Sequence, residues 1–204
     1  MSCACEDHCA TAALQARQRA TLRSVLVINA VMFGVIAAAA FHGDSTALLA
    51  DSLDNLGDAL TYGLSLYAVS RGPTVKARVA LFKGGLILLA ALGVAAQIVH
   101  RLLVPSVPVF EVMGVFSLLG LAANGVCFWL LTRHRDEDVN MSSVWECSRN
   151  DIAANVSVFV AAGGVALTGA AWPDLLVALG LTVLLLRSSL RVIGSARAEL
   201  RAAT

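Results

Sequence analysis

Six long apolar runs, at about 24–42, 46–69, 79–104, 109–132, 142–170 and 173–194, occupy most of this chain. Each is long enough to cross about 30 Å of hydrocarbon as an α-helix, the longer ones with some tilt. Short punctuation separates them: His42-Gly43-Asp44, Arg71-Gly72-Pro73, Pro105 with Pro108, the charged run Arg133 to Asp138, and Trp172-Pro173. Hydrophobic residues make up 58% of the 204 and charged residues only 14%, too few to clothe a soluble domain of this length. Six spans with short loops use up the length, so no soluble domain is expected. The net charge of +1, without a basic stripe, argues against a nucleic-acid partner. The first 23 residues, ending ARQRATLRS, are too polar for a signal-peptide core, so the first apolar run reads as a retained anchor.

Basic residues alternate from loop to loop. Arg17, Arg19 and Arg23 precede the first run, and Arg71, Lys76 and Arg78 follow the second. Arg133 and Arg135 follow the fourth, and Arg191, Arg197 and Arg201 close the sixth; Arg101 is the exception among the other loops. The positive-inside rule then puts both termini in the cytoplasm, which requires an even number of spans. The expected fold is an all-α membrane protein: a six-helix transmembrane bundle over 24–194, flanked by cytoplasmic tails at 1–23 and 195–204. Its expected place is the cell membrane, as a multi-pass protein of the bacterial inner-membrane kind. The pairs Gly84-Gly85 and Gly163-Gly164 predict close helix packing in lipid.

The second run, ALLADSLDNLGDALTYGLSLYA, is the anomaly. Asp51, Asp54 and Asp58 stand at i, i+3 and i+7, on one face of a helix. An ionised Asp at mid-bilayer costs about 2.5–3.5 kcal/mol, so two or three together cost roughly 5–10 kcal/mol unless cations, protons or water meet them. Simple hydration near a helix end is the alternative, strongest for Asp51. The fifth run, NMSSVWECSRNDIAANVSVFVAA, sets Cys147 and Asp151 four residues apart, the spacing of Asp54 and Asp58. Two helices each presenting two such groups suit a tetrahedral cation such as Zn²⁺. The competing reading of Cys147 is a small buried hydrophobe.

These two stretches, in order on helices two and five of six, resemble the cation diffusion facilitator family. That family carries an intramembrane site of Asp and His pairs with three residues between partners. Asp54 and Asp58 match the second-helix pair and Asp151 the fifth-helix aspartate, while VNMSSVWEC places Cys147 at the family's histidine. PDLLVALGLTVLLLRSSLRVI is similar to the sixth helix, and the resemblance covers roughly 24–194. It implies export of a cytoplasmic divalent metal driven by inward protons. Two departures stand out. Cys147 replaces an imidazole with a softer thiolate, which favours zinc, cadmium or another thiophilic ion, cobalt and iron remaining open. The cytoplasmic domain that helps family members dimerise is not expected in this short form, so a homodimer would rest on the membrane part.

The mechanism follows from charge. Four anionic groups around one point repel, so the empty site holds protons that an arriving metal displaces. Metal is thus expected as transported substrate and H⁺ as counter-ion, with no resident cofactor. Around the site, Asp51, Asn155 and Arg149 are candidates for an entrance or a supporting shell; Arg149 alternatively snorkels to the interface. Cys127, lacking an acidic neighbour at helical spacing, reads as packing. Cys3, Cys5, His8 and Cys9 put four soft ligands into the N-terminal tail, where they would capture metal or be incidental. No GxSxG, HExxH or Walker-type loop is present, so an enzyme is not expected. A membrane metal sensor or accessory subunit binding at the same residues without transport is the alternative function.

Overall fold

In a computed structural model, the backbone is described for residues 3–68, 73–133 and 139–202, with side chains at 17–64, 66–67, 75, 77–133 and 148–201. Six helices fill these segments: α1 Cys3–His42, α2 Thr46–Ala68, α3 Pro73–Leu103, α4 Phe110–Thr132, α5 Val139–Thr168 and α6 Trp172–Ala202. The fold is all-helical over the described residues. Five helices are long and apolar enough to cross a membrane: α1, α3, α4, α5 and α6. At 23 residues, α2 has the length, about 35 Å at 1.5 Å per residue, but carries the three aspartates. The helices also outrun the apolar runs. α1 continues back to Cys3 and α6 on to Ala202, through the segments read as tails.

Burial runs opposite to that of a water-soluble protein. Phe41, Phe82, Leu89, Leu103, Val160 and Leu167 face outward, while Asn29, Asp51, Asn55, Asn124, Asp151 and Asn155 are buried. A hydrocarbon solvent forces this arrangement, because it satisfies no polar group. One apolar cluster, with Ile36, Leu48, Val94, Met113, Val158 and Ala178, draws a residue from every helix. Among the described residues α2 is the only helix that touches all five others; α1, α4 and α5 flank one side of it, and α3 pairs with α6 on the other. The most polar helix is therefore the central one.

Close approach is made possible by small residues, though by only half of each glycine pair. A Cβ on Gly84 would stand 2.7 Å from Ile193 Cγ1 of α6, and one on Gly164 2.9 Å from Pro173 Cβ, whereas Gly85 and Gly163 face open space. Helix α5 stops at Gly169, whose φ of +62 suits glycine and whose N–H bonds back to Val165 O at 2.8 Å.

The start of α2 is pinned twice. Ser45 caps the helix, its Oγ accepting the Leu48 N–H at 3.1 Å. The buried Asp174 of α6 then accepts from Ser45 Oγ at 2.5 Å, from the Thr46 N–H at 2.9 Å and from the Ala47 N–H at 3.1 Å. A carboxylate from a distant helix thus satisfies two of the orphan donors of α2 and meets the positive end of its dipole. Beside it, Asp44, at a left-handed φ of 56 that Asp tolerates, is ion-paired with Arg101, and Ser106 Oγ donates to the same carboxylate at 2.6 Å. That pairing accounts for the exceptional arginine of the loop pattern, and Asp44 is held by protein groups.

Replacing Asp174 with Ala leaves three buried donors unmet and is expected to cost about 2–4 kcal/mol, against about 1 kcal/mol for Ser45→Ala. Unfolding of the purified protein in detergent checks the order. Equal losses for the two variants would show that Asp174 is not the main anchor of α2.

Candidate metal centre

Helical periodicity puts Asp51, Asp54 and Asp58 on the face of α2 that looks into the bundle. Asp51 is 1% exposed, while Asp54 and Asp58 are half-buried. Asp151 of α5, at 8% exposure, comes to the same face, close enough for its carboxyl to interact with those of Asp54 and Asp58. Three of the four residues singled out in the sequence therefore meet, from two helices far apart in the chain. The Cys147 side chain lies outside the described residues, as do those of Cys3, Cys5, His8 and Cys9. Among the described residues no three His, Cys, Asp or Glu side chains close around a point that would hold a metal. The aspartates gather pairwise through Asp151, more loosely than a coordination shell.

Two groups from neighbouring turns attend Asp58. The buried Tyr62, one turn along α2, donates its hydroxyl to Asp58 Oδ2 at 2.9 Å. Lys83 reaches across from α3, donates to Thr61 Oγ1, and its charge acts on Asp58. Sequence reasoning passed over both. Tyr62 sits at i+4 from Asp58, so its position was readable; Lys83 showed only as a cation in the apolar run of α3, with nothing to name its partner.

The surrounding candidates separate. Asp51 is no hydrated helix end, for it is buried beside Asp54 and its Oδ2 has no hydrogen-bond partner among the described residues. Asn155 donates to the Asp151 carbonyl at 2.9 Å, one turn back on its own helix, and so stiffens the turn that carries Asp151. Its buried Oδ1, without a hydrogen-bond partner among the described residues, lies against Gly120 of α4, where any side chain would collide with it. Arg149 is exposed. Cys127 packs, as expected, in an apolar cluster with Leu22, Val25, Tyr62 and Leu131, where Asn29 Nδ2 of α1 also donates to its Sγ at 3.8 Å.

The sequence is similar to a described transmembrane domain and to several transporters. The cation efflux transmembrane domain matches residues 22–200. An uncharacterized transporter of Synechocystis sp. is 32% identical over 151 residues, 67% of this chain and 49% of that protein. The zinc transporters ZitB of Yersinia pestis and Yersinia pseudotuberculosis are each 28% identical over 173 residues, 76% of this chain and 54% of theirs. The chain thus spans about half the length of the curated relatives it matches. Its apolar helices make it a multi-pass membrane protein. With the domain match running over nearly all of the described helices, the chain belongs to the cation efflux family, the cation diffusion facilitators that its α2 and α5 motifs resemble.

Proposed function

We propose that this chain exports a divalent transition metal, zinc or a similarly thiophilic ion, from the cytoplasm in exchange for protons. Asp54, Asp58, Cys147 and Asp151 hold the ion. The observation that carries this reading is the convergence of Asp151 of α5 on the α2 face that bears Asp54 and Asp58. Membership in the cation efflux family makes metal-cation transport the frame, and relatives described as zinc transporters support zinc.

The chemistry is an exchange of cations at one cluster of acids. Without metal, protons held by the carboxyls relieve the mutual repulsion of acids brought close together. A divalent ion demands ionised ligands, so its entry expels those protons. If the cluster opens to each side in turn, the protons return from the far side as metal leaves, and transport becomes antiport. Cys147, one turn before Asp151 on α5, adds sulfur as the fourth ligand and biases the site toward soft ions. In this reading α2 is the sixth span, its acids shielded from lipid by the other five helices, and both termini are cytoplasmic. A homodimer, if formed, uses the membrane domain.

Asp58→Ala and Asp151→Ala are each expected to reduce Zn²⁺ flux in proteoliposomes at least 100-fold, as loss of a ligand on a charged cargo demands. Flux near wild type in either variant removes this cluster from the account. A non-transporting sensor would bind the metal and show no flux in the wild type.

A panel of Zn²⁺, Cd²⁺ and Co²⁺ tests the sulfur separately. Cys147→His is expected to retain Zn²⁺ transport and lose preference for Cd²⁺ by about tenfold. Unchanged rates and preferences in Cys147→Ala would rule Cys147 out as a ligand.

A further inference from the structure

Lys83 is hard to explain as part of a lipid-facing helix. It stands six residues inside the apolar stretch of α3 that begins at Ala77, about 9 Å along the helix. A lysine that merely snorkels would send its ammonium to the nearer interface. Lys83 instead is half-buried and turns toward α2, where its Nζ donates to Thr61 Oγ1. Thr61 is itself fixed, its Oγ1 donating to the Gly57 carbonyl at 2.7 Å, and it stands three residues from Asp58 on the same helix. On the next residue, Tyr62 holds Asp58 Oδ2. Adjacent residues of α2 thus hold Lys83 and Asp58, and the charge of one acts on the other.

From this geometry we infer that Lys83 is a tethered counter-cation of the transport site, a positioning residue that shares Asp58 with the transported metal and sets how tightly the metal is held. The inference rests on the proposed metal site. Charge arithmetic supports the role. Three ionised aspartates and the Cys147 thiolate carry four negative charges, a divalent ion leaves two, and the Lys83 ammonium offsets one of them. When the metal departs, the ammonium remains as a partial substitute that keeps the acids from binding the ion irreversibly. A transporter has to release its cargo, and a fixed cation beside the site weakens binding of a divalent ion by direct repulsion. Thr61 keeps the ammonium at the edge of the cluster, so Lys83 tunes the site without filling it.

The test is Zn²⁺ titration calorimetry on the detergent-purified protein at alkaline pH, where protons compete least, with Zn²⁺ flux measured in parallel. Lys83→Met is expected to bind Zn²⁺ about tenfold more tightly and to transport it more slowly, the pattern of a cargo released too slowly. Lys83→Gln, which keeps a donor for Thr61, carries the same expectation should the methionine variant fold poorly. Lys83→Arg should stay within about threefold of wild type. In Asp58→Asn the effect of Lys83→Met should disappear, as the loss of a shared partner requires. Unchanged or weaker Zn²⁺ binding in both neutral variants overturns the role of Lys83. Wild-type Zn²⁺ binding by Asp58→Asn and Asp151→Asn instead overturns the site itself, so the two failures are told apart.

Discussion

Carboxyl groups cannot face hydrocarbon, and three of them on one stripe of a 23-residue helix dictate where that helix must go. In this protein α2 lies at the centre, in contact with every other helix among the described residues. The five apolar helices act as its solvent shield, turning Phe82, Leu89, Val160 and Leu167 outward and presenting Asn29, Asn124, Asp151 and Asn155 inward. Position along the axis is fixed from one end. Asp174 of α6 grips the first turn of α2, and Arg101 of α3 locks the preceding turn through Asp44. The acids face into the bundle, and the helix that bears them is anchored by other acids and a base outside the cluster.

Partners of the acids come from several helices, and each has a different physical task. Asp151 of α5 brings a third carboxyl to the α2 pair, and Tyr62 fixes one oxygen of Asp58. Lys83 of α3 brings positive charge, and the Asn29–Cys127 contact between α1 and α4 closes a polar neighbourhood within reach of Asp58. Glycines let these helices come near enough: Gly120 makes room for the Asn155 amide, and Gly84 lets α3 rest on α6. In the proposed exchange of metal for protons, such a neighbourhood supplies what a bare cage would lack, namely other cations and donors that steady the acids after the metal has gone.

Much of this was legible in the sequence because it depends on one helix at a time. Apolar runs located all six helices, and helical spacing placed Asp51, Asp54 and Asp58 on one face. The pairing of that face with Asp151 was reached through the repeated spacing on the fifth run together with the family resemblance. What escaped depends on contacts between helices. Lys83 and Tyr62 have nothing in their own helix that names Asp58 as the group they serve, apart from the i+4 position of Tyr62. Asp174 was read as part of a helix start, yet it caps a helix 128 residues away. Helix ends were misjudged for a related reason: hydropathy marks where lipid begins, while backbone hydrogen bonding carries α1 and α6 well beyond it.

The central claim is that one buried cluster of acids exchanges a divalent metal for protons across the membrane. The most direct test is wild-type protein in sealed proteoliposomes with an imposed pH gradient, a Zn²⁺-sensitive dye inside and a pH dye reporting proton movement. The account predicts that the gradient drives Zn²⁺ against its own concentration difference, with protons moving the opposite way and both fluxes ending when the gradient is dissipated. Zn²⁺ that binds without crossing, or crosses at a rate indifferent to the pH gradient, would contradict it.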